Sequence, residues 1–355
     1  MSERILQDGE VIARALGTLR RITLNRPRAL NALTLGMAGA ITGWLRAWAN
    51  DETVGAVLID GAGDRGFCAG GDIRALYDAA RFGGPLPREF WATEYRLDVL
   101  IARYSKPVVV VMDGMVMGGG VGLSAHAAHR VVTERSAIGM PEVGIGYFPD
   151  VGAAYLLARA PGEVGTHLAL TGEPIGAADA IFCGLADVHV PAENLAALPA
   201  LLAACRTAQE VRVCLQQVSR PPAPGKLPIA RQWIDVAYVG ADVEPIIARL
   251  RAHDSDPARS ASIVLESASP TSLKITLRNI RSALSFSRIE QSFQQDYRIS
   301  LSCIAAHDFI EGIRAAVVDK DRKPVWRPDR LDDVVPEVID QYFSPLGALE
   351  LKFDP

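Results

Sequence analysis

The sequence predicts an α/β core followed by a mostly helical C-terminal region, and three observations support this. Over about the first 200 residues, short apolar segments alternate with segments of helical periodicity, as in α/β proteins. Pro107 to Asp113 (PVVVVMD) is almost continuously apolar, which is typical of a strand covered on both faces of its sheet. Beyond the proline-rich Arg220 to Pro228, most segments have helical periodicity. We therefore expect a core over residues 1–205 and a helical region over residues 206–355.

Individual elements follow from local signals. Leu19 to Leu24 predicts a strand, which ends at the sequence NRP because proline lacks an amide donor. Thr34 is typical of a helix N-cap, and apolar residues share one face of the helix that runs on to about Asn50. Val54 to Asp60 predicts a further strand. Three further helices are predicted, one that begins near Asp72, one over Leu86 to Arg103 and one that ends at about Ala128. Another helix should begin near Val151, and two more should span Thr271 to Leu284 and Ile289 to Ala306. The sequence HRVVTE predicts a strand.

Composition excludes several classes of protein. The 355 residues include 37 basic and 41 acidic side chains, for a net charge of −4, and 49% are hydrophobic. This balance is that of a globular chain rather than a disordered one, and no basic stripe indicates a nucleic-acid partner. The longest weakly charged run, Pro107 to Ala125, contains Asp113 and five glycines, so a membrane span is not expected.

Location and metal binding are predicted from the N-terminus and the cysteines. The N-terminal sequence MSERILQDGE is polar and has no apolar signal core. The five cysteines form no CxxC pair, and the six histidines have no metal-ligand spacing. We expect a reduced cytoplasmic compartment, no structural zinc and no disulfide framework.

Two glycine-rich loops are the first candidate site, and each leaves a predicted strand to enter a helix. They are Phe67 to Asp72 (FCAGGD) and Met117 to Gly122 (MGGGVG). Consecutive glycines let backbone N–H groups approach a ligand, and two such groups converging on one oxygen form an oxyanion hole. The structural alternative is that the glycines only permit tight turns.

A carboxylate pair is the second candidate site. Glu142 and Asp150 flank a segment that is apolar apart from the Tyr147 hydroxyl. Burial in apolar surroundings raises the pKa of a carboxyl, which suits proton transfer or nucleophilic attack near neutral pH. The structural alternative places Glu142 at the surface and makes Asp150 the N-cap of the next helix.

Two other motifs are weaker. Gly61 to Gly66 (GAGDRG) matches the dinucleotide fingerprint GxGxxG, but FCAGG follows it where a helix should begin. Gly122 to His126 (GLSAH) is similar to a nucleophile elbow, yet His126 replaces the final glycine and Ser124 falls inside a predicted helix. A nicotinamide enzyme and a serine triad are therefore disfavoured.

A set of motifs occurs in a fixed order along the chain: NRPRALNAL, GFCAGGDIR, KPVVVVMDG, MGGGVGL, PEVGIGYFPDVGAAYLLAR, SPTSLKIT and HDFIEG running on to DKD. Together they resemble the enoyl-CoA hydratase/isomerase (crotonase) superfamily, and within it the 3-hydroxyisobutyryl-CoA hydrolase group. The resemblance covers Arg20 to Asp340. It implies a crotonase-like ββα spiral core with a helical C-terminal region over the acyl pocket.

Departures from the hydratase pattern matter as much as the matches. Hydratases that resemble this chain carry one glutamate shortly after the GGG loop and a second in the PE segment. Here the first position is Gly122 and the second is Glu142, while Asp150 stands where hydratases usually have glycine. One acid/base group for adding water to a double bond is missing, so hydratase activity is disfavoured.

The resemblance also implies residue roles. Gly71 and Gly119 would supply the oxyanion-hole N–H groups for a thioester carbonyl, and Glu94 would contact substrate, although it could equally be a solvent-facing helical residue. Glu142 would act as a nucleophile through a mixed anhydride, or as a general base on water. Asp150 would orient the substrate hydroxyl or the water and pass a proton to the leaving thiolate.

The expected function is hydrolysis of an acyl-CoA thioester, 3-hydroxyisobutyryl-CoA, in valine degradation. The alternatives are a lyase or isomerase that acts on another acyl-CoA through Glu142 alone, and a CoA-binding protein without turnover. We expect no cofactor, because coenzyme A is part of the substrate, and no metal. The expected partner is the acyl-CoA substrate, and a homo-oligomer is among the expectations because proteins resembling crotonase commonly form trimers.

Overall fold

The computed structural model describes residues 4–7 and 9–353, and its packing divides the chain into two compact units. The first unit contains the chain up to Gly71 with Thr93–Ile138 and Ile175–Gly225. The second contains Asp72–Ala92, Gly139–Pro174 and the chain from Lys226 onward. This division differs from the expected single cut after residue 205, because two earlier segments pack with the C-terminal helices. The proline-rich segment nevertheless holds one boundary, between residues 225 and 226.

The first unit is built on a seven-stranded sheet with the order β1-β2-β3-β4-β6-β8-β10. The pairs β1/β2 and β2/β3 are antiparallel, and every later neighbouring pair is parallel. A second sheet has the order β5-β7-β9. The strands are β1 (Arg4–Gln7), β2 (Val11–Leu16), β3 (Leu19–Leu24), β4 (Ala56–Gly61), β5 (Gly66–Cys68), β6 (Val108–Met112), β7 (Met115–Met117), β8 (His129–Val132), β9 (Ala137–Gly139) and β10 (Val188–His189).

The central strands confirm the prediction from the apolar runs. All five residues of β6 are buried, as a strand covered on both faces requires. On one face of the large sheet, side chains such as Leu19, Leu58 and Val111 pack against Leu198 and Leu202 in a single apolar cluster. Burying a side chain of this size contributes about 1.5–3 kcal/mol each, so this cluster is a main source of stability for the sheet.

Sixteen α-helices are present among the described residues, and the predicted ones occur close to their expected bounds. Thr34 caps α1, since its side chain accepts a hydrogen bond from Met37 N at 3.1 Å. The helices are α1 (Leu35–Ala49), α2 (Ile73–Phe82), α3 (Leu86–Ala102), α4 (Gly119–Ala125), α5 (Ala153–Leu157), α6 (Val164–Thr171), α7 (Ala177–Phe182), α8 (Leu198–Leu202), α9 (Ala208–Val218), α10 (Leu227–Ala237), α11 (Val243–Ala252), α12 (Asp256–Ser267), α13 (Pro270–Ala283), α14 (Ile289–Cys303), α15 (His307–Ile313) and α16 (Pro336–Phe343).

The second unit is helical, as predicted for the C-terminal region. Helix α13 packs against α5 and α6, and α14 packs against α5, α15 and α16. Both α13 and α14 bury polar side chains as well as apolar ones, including Asn279, Asp296 and Ser300. These polar groups surround the segment that carries the predicted carboxylates. None of the described helices is both long and apolar enough to span a bilayer.

Candidate active site

The two glycine-rich loops lie side by side in the first unit. Strands β5 and β7 pair in parallel, so the loops that follow them leave the same edge of their sheet. A Cβ atom placed on Gly119 would stand 3.3 Å from the backbone N of Gly71. The structure thus brings together Gly71 and Gly119, the two residues to which the family resemblance gives the oxyanion-hole role.

Glycine is required in the second loop, because other groups approach its backbone closely and one residue adopts unusual dihedral angles. Gly118 has φ +48° and ψ −119°, a conformation that residues with a Cβ atom rarely adopt. A Cβ atom on Gly119 would collide with Oε1 of Glu94, and one on Gly120 would collide with the carbonyl oxygen of Cys68. The glycines therefore do more than form a turn, because they let a carboxylate and a second loop approach the backbone.

Glu94 is part of this cradle and does not face solvent. Its side chain on α3 is only 2% exposed, and Asp98, one helical turn further on, is fully buried. Burial, with further contributions from these two carboxylates, raises the pKa of the neighbouring Cys68 thiol to about 12. Sequence reasoning missed Asp98, although its i, i+4 spacing from Glu94 was a usable signal.

Glu142 is a buried carboxyl in the second unit, at the start of the 3₁₀ turn Glu142–Ile145. Its side chain is 7% exposed, and Oε2 accepts no hydrogen bond from any described residue. Burial raises the pKa of Glu142 well above its ordinary value, and the nearby charge of Asp150 raises it further. The surface location considered for Glu142 is therefore wrong.

Asp150 is buried within the same segment and is not a helix cap. Gly152 occupies the N-cap position of α5, and no side chain caps that helix. The Tyr147 hydroxyl donates to Oδ2 of Asp150 at 3.2 Å. The structure thus places Glu142 and Asp150 within one unit, close enough to interact electrostatically.

A third buried carboxyl stands behind Asp150 and was missed by sequence reasoning. Asp296 on α14 accepts hydrogen bonds from Gly152 N at 2.8 Å and from Asn279 Nδ2 at 3.0 Å. Burial raises the pKa of Asp296 well above its ordinary value, and the charge of Asp150 adds to this. No local signal links residues 150 and 296, because only the packing of α14 beside this segment brings them together.

Aromatic rings form the apolar wall of this carboxylate cluster. Tyr147 stacks on Trp91 with ring centroids 5.9 Å apart, and it also contacts Phe148 at 4.7 Å and Phe309 at 5.3 Å. Tyr147 connects these rings to the two carboxylates, because its backbone N donates to the Glu142 carbonyl at 3.0 Å and its hydroxyl donates to Asp150. Burial is the main cause of the raised pKa of Glu142. A carboxylate that is poorly solvated is a stronger base and nucleophile than one in water.

The weaker motifs have structural explanations. Gly61 to Gly66 leads into strand β5 rather than a helix, so the dinucleotide fingerprint is incomplete as the sequence indicated. Ser124 lies within α4, where its hydroxyl donates to the Gly120 carbonyl at 2.6 Å. This is an internal helical bond rather than the exposed hydroxyl of a nucleophile elbow.

Comparison with known proteins identifies the class of protein. The family model described as enoyl-CoA hydratase/isomerase matches residues 19–343, so the chain belongs to that family. A protein named 3-hydroxyisobutyryl-CoA hydrolase, mitochondrial, from Xenopus laevis is 40% identical, over 99% of this chain and 93% of the relative. The Mus musculus protein of the same name is 41% identical, over 97% of this chain and 91% of the relative.

Solved structures share the fold under other names. A structure titled carnitinyl-CoA dehydratase from Mycobacterium thermoresistibile matches with TM-score 0.93 and 44% identity, covering 98% of this chain and 99% of that chain. An enoyl-CoA hydratase from Rhodobacter sphaeroides 2.4.1 matches with TM-score 0.90 and 42% identity, covering 97% and 100%. The crotonase-like fold predicted from the sequence is confirmed.

Proposed function

We propose that this chain hydrolyses 3-hydroxyisobutyryl-CoA to 3-hydroxyisobutyrate and free coenzyme A, a step of valine degradation. The observation that carries the proposal is the buried, interacting pair Glu142 and Asp150, in which Asp150 stands where similar hydratases usually have glycine. The hydrolase names of the 37–41% identical relatives support it. The reaction needs only water and these side chains, and coenzyme A enters as part of the substrate.

The thioester oxygen is assigned to the glycine cradle. In this proposal the N–H groups of Gly71 and Gly119 bind the carbonyl oxygen as negative charge develops on it. Backbone donors suit this task because their orientation is fixed before substrate arrives, so little reorganisation is needed in the transition state. Glu94, whose carboxylate adjoins Gly119, is proposed to contact the substrate beside the carbonyl.

Glu142 is assigned the attack, by one of two routes. As a nucleophile, its carboxylate bonds to the thioester carbon, the C–S bond breaks, and water later hydrolyses the mixed anhydride. As a general base, it removes a proton from water while the water oxygen bonds to the same carbon. Both routes use the ionised form, and the apolar surroundings that raise the pKa of Glu142 also make that form more reactive.

Asp150 is assigned to the leaving group and the substrate hydroxyl. The thiolate of coenzyme A needs a proton as it departs, and a carboxyl held beside Glu142 can supply it. Asp150 can also accept a hydrogen bond from the β-hydroxyl of the acyl group. A chain with no carboxyl at this position would lose both contributions.

The dehydratase and hydratase titles of the two similar structures favour a second candidate, addition or removal of water at a carbon–carbon double bond. Against it stands Gly122, which lies fully inside α4 at the position where similar hydratases carry a glutamate. Glycine offers no acid or base. The proposed enzyme thus lacks one of the two groups that the hydration reaction uses.

The test compares two reactions of the purified protein. Free-thiol release from 3-hydroxyisobutyryl-CoA is followed with a thiol reagent, and hydration of crotonyl-CoA is followed by loss of its conjugated absorbance. The proposal expects rapid thiol release and little hydration. Hydration of crotonyl-CoA without thiol release would establish the second candidate. Binding of both substrates without either reaction would establish a CoA-binding protein.

Three further expectations stay predictions. The cytoplasmic location rests on the sequence, whereas the relatives cited above are named mitochondrial. The homo-oligomer rests on resemblance to crotonase. The acyl preference between 3-hydroxyisobutyryl-CoA and 3-hydroxypropionyl-CoA depends on one methyl group, and a pocket discriminates such a difference by only about 1–3 kcal/mol.

A further inference from the structure

Two of the five cysteines lie in contact with each other in the first unit. The Sγ atoms of Cys205 and Cys214 are 3.5 Å apart, and both belong to free thiols. Each also lies within hydrogen-bond reach of the carbonyl oxygen of Leu201, at 3.7 Å for Cys205 and 3.4 Å for Cys214. Cys205 follows α8 and Cys214 lies on α9, so residues 206–213 separate them in the chain. The fold thus pairs two thiols that form no CxxC motif in the sequence.

The two thiols differ in their access to solvent. Both line a shallow depression of about 350 Å³ that is open to solvent. Cys214 is half-buried, whereas Cys205 is only 3% exposed. Burial first, and then the hydrogen bond with Cys214, raise the pKa of the Cys205 thiol to about 12. Cys205 therefore stays protonated near neutral pH, and Cys214 is the sulfur that a dissolved reagent reaches first.

The backbone is held in place on both sides of this pair. The Thr18 hydroxyl donates to the Cys205 carbonyl oxygen at 2.8 Å. Ahead of Cys214, α9 begins with a capping box, in which Glu210 N donates to Thr207 Oγ1 at 3.2 Å and Thr207 N donates to Glu210 Oε2 at 3.0 Å. The contact between the two sulfurs is therefore a consequence of the fold.

We propose that Cys205 and Cys214 form a reversible thiol–disulfide site that reacts with hydrogen peroxide, separate from the groups assigned to thioester cleavage. The sulfur of Cys214 attacks one peroxide oxygen, the O–O bond breaks, and the products are a sulfenic acid and water. Cys205 Sγ then bonds to the sulfenic sulfur, and the hydroxyl leaves with the thiol proton of Cys205 as a second water. Two thiols are oxidised to one disulfide while one peroxide is reduced to two waters.

Little movement is needed to form this bond. A disulfide joins its sulfurs at about 2.05 Å, so from 3.5 Å the two atoms approach each other by about 1.5 Å. A shift of this size is within the reach of side-chain rotation. In a reducing compartment the pair is the dithiol, and excess thiol returns the disulfide to that form.

The disulfide would restrain the start of α9. It closes a ring that contains residues 206–213, and hence the capping box and the first turn of the helix. Val211 and Leu215 of the same helix pack in the apolar cluster of the large sheet. A cross-link removes open conformations of this segment from the unfolded and partly unfolded states. We therefore expect amide hydrogen exchange in α9 to become slower on oxidation.

The measurement is the intact mass of the purified full-length protein after exposure to a small excess of hydrogen peroxide. We expect a loss of about 2 Da, the mass of two hydrogen atoms, which dithiothreitol reverses. Digestion without reductant should yield one cross-linked pair of peptides that contains Cys205 and Cys214. Thioester cleavage plays no part in this readout, so failure of the hydrolase proposal leaves it unchanged.

Substitution of either cysteine separates the two roles. In Cys205→Ser the sulfenic acid on Cys214 has no thiol partner, so dimedone should trap it, and without dimedone the protein should gain about 32 Da as the sulfinic acid. In Cys214→Ser neither the disulfide nor a dimedone adduct at Cys205 should form. Cys183→Ser is the matched control, because Cys183 is 4% exposed and burial raises its pKa to about 12 as well. This control should form the disulfide like the wild type.

Three results would overturn the proposal. One is a wild-type protein that forms the sulfinic acid at Cys214 to the same extent as Cys205→Ser, because Cys205 then does not react with the sulfenic acid. Another is a disulfide that joins two protein chains or includes a different cysteine. The third is a wild-type mass that stays unchanged at a peroxide concentration that oxidises free cysteine in the same solution. The wild-type protein alone decides the last two, so the proposal stays testable where a variant fails to fold.

Discussion

The two compact units supply different chemistry and encode it differently. In the first unit the candidate groups are backbone donors, placed by two short glycine-rich loops beside paired strands. In the second unit they are carboxyls whose surroundings come from distant segments, since Tyr147 bonds to Ser300 and Gly152 bonds to Asp296. The position of a backbone donor is determined by a short run of neighbouring residues. The pKa of a buried carboxyl is determined by the residues that pack around it, which can be distant in the sequence.

This difference determines how each unit should respond to substitution. The backbone donors of the glycine cradle have no side chain to remove, so they are perturbed by adding atoms to Gly71 or Gly119. The carboxylate cluster can be altered without steric change by isosteric amides and by loss of single hydroxyls. Steric perturbations therefore probe the first unit, and electrostatic perturbations probe the second.

A large loss of activity is expected from a change in the glycine cradle. Gly119→Ala would place a methyl group against the Glu94 carboxylate and beside Gly71 N, and so displace the backbone donors. We expect kcat for thiol release to fall about 10²–10³-fold, as for loss of one oxyanion donor. Gly43→Ala in α1 is the control, because a Cβ there meets open space. Equal activity of the two variants would contradict the assignment of Gly119.

The carboxylate cluster should make the rate of the reaction depend on pH. The pKa of Glu142 is raised above its ordinary value, so its reactive carboxylate is lost as pH falls through a value above 4.5. Below that value, kcat/KM should fall about tenfold for each pH unit. Rates for 3-hydroxyisobutyryl-CoA measured across pH 5 to 9 check this. A rate independent of pH down to the ordinary range of a glutamate would show that Glu142 is not desolvated.

The same raised pKa predicts a stability cost at neutral pH. As pH rises, the unfolded chain ionises Glu142 before the folded chain does, so the free energy of unfolding decreases between the two pKa values. Glu142→Gln removes this loss and should be more stable than wild type at pH 7.5 by about 1–2 kcal/mol, with a smaller gain at pH 4.5. Urea unfolding at both values checks this, with exposed Glu193→Gln as the control. A gain in the free energy of unfolding that is equal at pH 4.5 and pH 7.5 would contradict a raised pKa of Glu142 in the folded protein.

A further comparison takes one helix cap from each unit. Thr34 caps α1 at a partly exposed position, and its replacement by alanine should cost about 1 kcal/mol. Ser269 caps α13 while fully buried, and its hydroxyl also donates to Asp308 Oδ2 at 2.6 Å. Ser269→Ala leaves that buried acceptor without its donor and should cost about 2–3 kcal/mol. Denaturant unfolding measures both losses in the free energy of unfolding. Equal losses for the two variants would show that a buried cap stabilises the protein no more than a partly exposed one.

The contrast between the units also explains what the sequence could predict. Strand β6, helix α1 with its Thr34 cap and both glycine loops depend on neighbouring residues, and all were predicted close to their observed positions. The burial of Glu142 and Glu94 could not be decided from local sequence, because a glutamate in a short turn or a helix is usually exposed. The apolar segment around Glu142 made it a candidate before any family was considered, whereas Glu94 became one through resemblance to a family.

Asp296, Asn279 and Ser300 were not predicted at all. Each lies on a helix with an ordinary periodic pattern, and a polar residue there indicates a solvent-facing position until the packing of the helix is known. Each compact unit likewise combines segments from separate parts of the chain, so no single boundary in the sequence divides the two units. Long-range packing is the information that a linear pattern lacks.

The most direct test of the central claim is thiol release by Glu142→Gln under single-turnover conditions, with enzyme in excess over 3-hydroxyisobutyryl-CoA. Calorimetry on the same variant first establishes that it still binds the substrate. The account predicts binding close to that of wild type and a rate of thiol release at least about 10³-fold lower, because the amide can neither attack nor accept a proton. Thiol release at the wild-type rate by this variant would show that the thioester is cleaved without the buried carboxylate.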